Sequence, residues 1–195
     1  MANELYPIFL KTNTFKTLIV GGGNVALEKL TFLLKSSPNS HVYLVAPEIK
    51  IEIQELAFKH SSVKLITREF TDNDLQRIQL LILATENILL NKEIKIKAKQ
   101  LGILTNVADT PDECDFYLGS IVTRGDLKIA ISTNGKSPTF AKRFREVLEE
   151  VLPLETTSLL DNLHHIRNQL KGTFSEKVKE LNELTNTLIS TTKKP

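Results

Sequence analysis

The sequence predicts an α/β fold: a doubly wound parallel sheet with helices on both faces, then a small strand-rich segment and a helical C-terminal segment. Two patterns carry that reading. Through the first half of the chain, short apolar runs of strand length alternate with longer runs whose apolar residues recur at helical spacing, as in successive strand–helix–strand units. After Asp109 the alternation stops, two strand-length runs stand close together, and beyond Pro153 no strand candidate follows. Right-handed crossovers between parallel strands then lead to a doubly wound sheet.

Taken in order, Thr17 to Val20 is a first strand that ends at Gly21-Gly22-Gly23. Asn24 to Lys35 is a helix, with Val25, Leu27, Leu30, Phe32, Leu33 and Leu34 on a broad apolar face. Val42 to Ala46 is a second strand ended by Pro47, and Ile49, Ile53, Leu56 and Ala57 then recur at helical spacing. Val63 to Ile66, Leu80 to Ala84 and Ile103 to Val107 are three further strands, with a helix over Ile88 to Gln100 between the last two. Thr110-Pro111-Asp112 marks a turn. Tyr117 to Thr123 and Leu127 to Ser132 then flank Arg124-Gly125-Asp126, which suits a hairpin because Gly accepts positive φ.

Ser137-Pro138 is a helix start, Ser as the N-cap and Pro at the first position, and Phe140, Phe144, Val147, Leu148 and Val151 form the face that follows. Leu159, Leu160, Leu163, Ile166 and Leu170 make a second helical stripe that Gly172 closes. Thr173 with Glu176 fits a capping box for a last helix carrying Val178, Leu181, Leu184 and Leu188, and the closing TTKKP is expected to fray.

Composition narrows the function classes. The chain has 195 residues, 41% hydrophobic and 25% charged, which excludes a wholly disordered chain, a collagen-like fibre and a disulfide scaffold. A single cysteine, Cys114, has no internal partner and points to a reducing compartment. The formal charge is +2, from 25 Lys and Arg against 23 Asp and Glu, so bulk electrostatics give no case for a nucleic-acid partner. The apolar runs fall short of the roughly 20 residues of a membrane helix, and the N-terminal stretch has no basic region leading an apolar core. The expectation is a cytoplasmic protein without a membrane partner.

Gly21-Gly22-Gly23-Asn24-Val25-Ala26 fits G-x-G-x-x-A between a strand and a helix, the Rossmann dinucleotide-binding pattern. The first glycine allows the tight turn, the second lets backbone approach a pyrophosphate, and small Ala26 lets helix and strand pack closely. The helix N-terminus then favours the anion. The same residues also suit a tight strand-to-helix turn with no ligand. Glu48, about twenty residues further on, is placed to bind an adenosine ribose and favour NAD over NADP; it equally reads as an exposed Glu opening the next helix. Ala84 and Thr85 close the fourth strand, where backbone would lie against a cofactor, although Thr85 also suits a helix cap.

The loop alone names no substrate. The ordered set GGGNVALEKL from Gly21, VAPE from Val45, LATENILLN from Leu83, NVADTPDECDF from Asn106, GSIVTRGDLKIAIST from Gly119 and NGKSPTFAKRFRE from Asn134 goes further. It resembles the siroheme synthase N-terminal module, the precorrin-2 dehydrogenase and sirohydrochlorin ferrochelatase family, over nearly the whole chain and most specifically from Asn106 to Arg145. The resemblance implies NAD-dependent removal of two electrons from the tetrapyrrole precorrin-2 to give sirohydrochlorin. Some members then insert ferrous iron, here a substrate, to make sirohaem. It also implies a homodimer with a Rossmann domain over 1–112, a dimerisation segment of hairpin plus helix over 113–152, and a helical segment over 153–195. Fused members add a methyltransferase portion that is expected to be absent here, so precorrin-2 is expected to come from another protein.

The resemblance carries the family's catalytic aspartate onto Asp109, nicotinamide-side contacts onto Asn24 and Val25, adenosine-side contacts onto Pro47 and Glu48, and a cofactor contact onto Asn106. Just past the fifth strand, the Asp109 carboxylate could accept the proton lost on oxidation, strip pyrrole protons or hold a divalent metal; an Asp there also suits a cap on the Thr110-Pro111 turn. A serine that some members modify falls on Thr133, and Asn134 stands where the family has the first of two glycines. Gly125-Asp126 replaces a more usual Ser-Pro in the hairpin.

Thr133, Asn134 and Lys136 at a helix start, with Lys142, Arg143 and Arg145 after them, suit the acetate and propionate arms of such a substrate. A solvated basic helix face fits those cations as well. His164-His165, adjacent and so facing different ways, give no metal site. His41 and His60 are expected at the surface, and Cys114 is expected to have no role. No paired-cysteine or H-E-x-x-H metal pattern is present. The competing class is an NAD(H)-binding sensor that signals through its helical tail and has no use for Asp109.

Overall fold

The computed structural model describes residues 3–154 and 156–189, with the side chains of 187–189 left aside, so Leu188 and the closing TTKKP lie outside the description. In chain order the first elements are β1 (Lys16–Val20), α1 (Asn24–Ser36), β2 (His41–Ala46), α2 (Ile51–Lys59), β3 (Val63–Thr67), β4 (Leu80–Leu83), α3 (Ile88–Gln100) and β5 (Leu104–Val107). β6 (Ser120–Arg124), β7 (Leu127–Ile131), α4 (Pro138–Val151), α5 (Thr156–Gln169) and α6 (Phe174–Ile189) follow. β1 to β5 form one parallel sheet in the order β3-β2-β1-β4-β5, and β6 and β7 form a separate two-stranded sheet. The doubly wound prediction holds, and the order reverses beside β1.

Why the central strands β1, β2 and β4 read as largely apolar runs is clear from the two cores. Leu18, Val20, Leu81 and Leu83 pack with Ile94 and Ala98 of α3 on one face. Ile19, Val42, Leu44 and Ile82 pack with Ala26, Leu30 and Leu34 of α1 and Ile53 of α2 on the other. A strand covered on both faces has no polar side to alternate with. Val20 pairs with Val45 on one side and Leu83 on the other, so β2, β1 and β4 end level.

The chain divides into two compact units. The first comprises the residues up to Ile121 with Ala130–Lys142, and the second Val122–Ile129 with the chain from Arg143 onward. Within the second, the Arg124 guanidinium donates to the Glu149 carbonyl, and the Thr173 N–H and hydroxyl both donate to Glu176 at 2.7 and 2.9 Å, the capping box the sequence predicts for α6.

Several boundaries differ from the sequence reading, and one turn is added. β4 stops at Leu83, β5 starts at Leu104 and β7 stops at Ile131, so Ala84, Ile103 and Ser132 lie outside their strands. Ile49 belongs to the loop before α2, because the Lys50 N–H donates to the Gly22 carbonyl (3.0 Å) and delays the helix. Tyr117 to Gly119 precede β6 and are not strand. Leu170 lies past α5, its N–H still donating to Ile166 at 3.1 Å. A 3-10 turn over Asp72–Leu75 was not anticipated, although Thr71 and Asp74 form a capping box around it.

Arg68 grips that Asp74 through two hydrogen bonds of 2.8 and 2.6 Å. The guanidinium, helped by the Thr71 N–H, holds the Asp74 carboxyl below its ordinary value against the opposing effect of burial. A depressed folded-state pKa contributes stability that is present above the unfolded value near 3.8 and is lost as pH falls through the folded value. Asp74→Asn is therefore expected to lower the unfolding free energy from urea titration at neutral pH by about 1 kcal/mol or less for so exposed a partner. The difference from the native chain should close below about pH 4; a constant difference at both pH values would refute the assignment.

Candidate functional site

The carboxyl ends of β2, β1, β4 and β5 lie side by side, and their loops build the site. Gly21, at φ +124°, follows β1; its N–H donates to Val45 at 3.0 Å, and a Cβ there would stand 2.4 Å from the Ala84 carbonyl oxygen. A Cβ on Gly22 would fall 2.0 Å from the Glu48 carbonyl oxygen. These two glycines are therefore required by the chain's own backbone. Gly23 differs: its φ is −90°, and a Cβ there would meet no atom of the chain within 4 Å. Glycine suits this N-cap position, and its bare backbone also leaves room for a ligand to approach.

The start of α1 points the same way. Gly23 is its N-cap with no side-chain cap, and the first turn carries no acid, so the leading N–H groups are not satisfied from within the helix. By contrast the first turn of α2 carries an acid, Glu52, and α3 is capped by Asn87, which accepts the Leu90 N–H. An uncapped helix start behind a glycine loop is a fit for a phosphate group. Ala26 is fully buried, as close helix–strand packing requires.

Pro47 and Glu48 are exposed in the loop after β2, and Glu48 lies three residues ahead of α2, so it does not open that helix. Asn24 and Val25 form the first turn of α1. Lys50, which sequence reasoning missed, donates from Nζ to Asn24 Oδ1 at 2.7 Å and sits 3.4 Å from Glu52, bringing a cation beside the loop. Ala84 N–H donates to Val20 (2.8 Å), joining β4 to the glycine turn. The Thr85 hydroxyl donates to Asn91 Oδ1 at 2.6 Å, and Asn91 Nδ2 returns a bond to the Thr85 carbonyl at 2.9 Å. Thr85 is thus not the α3 cap; Asn87 is.

Asp109 follows β5, one residue after Ala108, whose N–H donates to Leu83 at 2.9 Å. It is exposed, and its φ of +57° lies in the left-handed region that costs an L-residue energy. Its carboxylate has no hydrogen bond or ion pair among the described residues. Thr110, not Asp109, is the N-cap of the 3-10 turn Pro111–Glu113, and it makes no side-chain cap bond. Asp109 is therefore not the cap of this turn; it is an exposed residue at the sheet's carboxyl end. From the β1 end it is two strand spacings away, about 10 Å.

Asn106 is buried, its Nδ2 donating to the Phe116 carbonyl at 2.9 Å. Asp115, also missed by sequence reasoning, pairs with Lys95 of α3, which is only 8% exposed. Burial opposes ionisation of Asp115, but the Lys95 ammonium and the Thr105 N–H outweigh it and keep the carboxyl below its ordinary range. Burial pushes the Cys114 thiol up, so it stays protonated at neutral pH.

The loop before α4 is tightly wound. Asn134 (φ +53°) and Gly135 (φ +74°) are both left-handed, which Asn tolerates. The Thr133 hydroxyl accepts the Ser137 N–H at 3.1 Å, and Ser137 Oγ accepts Phe140 N–H at 3.2 Å, so Ser137 is the predicted cap. Lys136 is exposed on this loop. Arg143 pairs with Glu146 (2.9 Å) and Arg145 with Glu149 on the same helix. No cluster of three potential metal ligands exists among the described residues, and no helix there is long and apolar enough to cross a membrane.

Fold and loop together define an α/β protein of the dinucleotide-binding class, whose members bind their ligands where the strand order reverses. Comparison with known proteins agrees. Residues 8–120 match the family described as "Putative NAD(P)-binding", and residues 124–150 match "Sirohaem biosynthesis protein central". Among similar curated proteins, a siroheme synthase of Nitrosomonas eutropha is 34% identical over 172 residues, covering 88% of this chain and 36% of the relative. One of Psychrobacter arcticus is 39% identical over 148 residues, covering 76% and 26%. A solved structure titled SirC, precorrin-2 dehydrogenase superposes with a TM-score of 0.76 at 26% identity, covering 92% of this chain and 89% of that one. The chain belongs to the siroheme synthase N-terminal module family, and it spans about a third of the length of the curated relatives it matches.

Proposed function

We propose that this chain dehydrogenates precorrin-2 to sirohydrochlorin with NAD as the oxidant, and that ferrous iron insertion into the product can follow. The observation that carries the reading is Asp109, a carboxylate without a partner among the described residues, in left-handed backbone on the same edge of the sheet as the glycine loop. The names of the similar proteins, siroheme synthases and a precorrin-2 dehydrogenase, support the substrate class.

In this reading Gly21, Gly22 and Gly23 with the leading N–H groups of α1 bind a pyrophosphate. Asn24 and Val25 lie toward the nicotinamide and Pro47 and Glu48 toward the adenosine, where Glu48 favours NAD over NADP by meeting a ribose diol. Ala84, Thr85 and Asn106 frame the nicotinamide side at the ends of β4 and β5. NAD, when bound, supplies the hydride acceptor. The substrate loses a hydride and a proton, and Asp109 takes the proton; the same carboxylate would receive pyrrole protons if iron enters. Thr133, Asn134, Lys136 and Arg143 are the proposed contacts for the substrate's carboxylate arms. The segment 113–152 is the proposed dimerisation segment of a cytoplasmic homodimer, between the NAD-binding domain over 1–112 and the helical segment over 153–195.

The test is anaerobic incubation with precorrin-2 and NAD without metal, then addition of ferrous iron. NADH and the sirohydrochlorin spectrum are expected in the first stage, with NADP a poorer oxidant. Sirohaem in the second stage would establish iron insertion; its absence would restrict the chain to dehydrogenation.

A further inference from the structure

Around Asp109 the chain closes on itself through an unusual set of bonds. Cys114 Sγ accepts the Val107 N–H at 3.2 Å, and its S–H has the Val107 carbonyl at 3.2 Å and the Thr110 carbonyl at 3.4 Å as acceptors. The sulfur thus meets both backbone groups of the residue that ends β5. One step along, the Asp115 N–H donates to the Thr105 carbonyl at 2.8 Å, and the Thr105 N–H donates to Asp115 Oδ2 at 2.9 Å. Asn106 Nδ2 adds a bond to Phe116 (2.9 Å) and lies 3.4 Å from the same sulfur. Lys95 of α3 closes on the Asp115 carboxylate from the core side.

β5 is an edge strand, and these residues occupy its open edge with two side chains standing in for a neighbouring strand. The consequence falls on what lies between the two feet. Residues 108–113 are a short excursion pinned by Val107 at one end and Cys114 at the other, and Asp109 is its second residue. A left-handed conformation at a residue that is not glycine persists only where the surroundings determine it.

We infer that Cys114 and the Asp115–Lys95 pair are positioning residues that hold the Asp109 carboxylate in its working direction. This rests on the reading of Asp109 as the proton acceptor. None of the three touches the reacting atoms. They act by fixing the feet of the loop, and a loosened loop leaves the carboxylate to sample directions from which no proton is reached.

The test compares Cys114→Val, Cys114→Ser and Asp115→Asn with the native chain. Turnover is normalised to the concentration of NAD-binding sites, so misfolded protein does not count. Cys114→Val is expected to lower kcat about tenfold or more, the range for a misplaced reacting group, with NAD affinity unchanged. Serine keeps a donor and an acceptor and is expected to restore most of the loss; Asp115→Asn should behave like the valine. Two readouts do not depend on activity: amide exchange over 108–113, expected to quicken in the valine and asparagine variants, and the Asp109 carboxyl carbon resonance, expected to shift. If the native chain does not oxidise precorrin-2, the functional reading fails while these two still judge the clasp. Native kcat per site, or unchanged exchange and resonance in both variants, would overturn the inference, even if thermal stability drops.

Discussion

Asp109→Asn is expected to cut the rate of precorrin-2 oxidation by about 10²–10⁴-fold, the usual contribution of a positioned proton acceptor, with NAD affinity unaltered. Asparagine has the shape of aspartate and tolerates left-handed backbone, so the fold and the loop at φ +57° should persist. What it lacks is a site for the proton. Asp109→Gly sharpens the contrast, because glycine relieves the backbone strain: the expected result is an inactive protein at least as stable as the native one. A structural cap would behave in reverse, with full activity in Asp109→Asn and a stability loss of about 1 kcal/mol on removal of the side chain. Thermal melts and turnover on the same samples separate the two.

Substitutions at Gly22 and Gly23 should diverge as strongly. At Gly22 an added Cβ falls 2.0 Å from the Glu48 carbonyl oxygen, a backbone atom with no rotamer to change. Gly22→Ala is expected to cost on the order of 1–3 kcal/mol, as overpacking does, and to disorder the loop after β2. Gly23→Ala meets no atom within 4 Å and keeps an allowed φ of −90°. Its stability cost is that of alanine at an N-cap, about 1 kcal/mol or less. Its NAD affinity should nevertheless fall about 10- to 100-fold, corresponding to one lost charge-assisted contact. Calorimetric titration with NAD checks this, and native affinity in a folded Gly23→Ala protein would remove the phosphate from this position.

These contrasts show what the sequence made legible. The central strands stood out because both their faces are covered and they are largely apolar, β4 wholly so; the edge strands β3 and β5 carry polar residues and were legible through their alternation with helices. β6 was legible through its hairpin partner, except where Tyr117 extended the run without pairing. The start of α2 was misjudged because Ile49 continues the apolar spacing, while a bond from Lys50 to Gly22 holds that stretch in a loop. In the site, the glycine motif was legible since its spacing is local. The division of labour within it, two glycines for the chain's own backbone and one facing outward, was not, because Glu48 and Ala84 reach the loop only through the fold.

Lys50 and Asn24 meet across 26 positions, beyond any local pattern. Cys114 looked inert since a lone thiol in a turn carries no signal; its role depends on β5 being an edge strand, which follows from strand order alone. Asp109 was ambiguous in the sequence between cap and catalyst; in the structure Thr110 takes the cap position, and Asp109 makes no side-chain bond among the described residues.

The measurement that meets the central claim most directly is a metal-free single turnover, with enzyme in excess over precorrin-2 and saturating NAD, run beside Asp109→Asn at matched occupancy. The account predicts one NADH and one sirohydrochlorin per precorrin-2 consumed in the native protein, and almost none over the same interval in the variant. Tight NAD binding without turnover in the native chain would contradict it and leave a nucleotide sensor. Equal rates in both proteins would take the proton from Asp109.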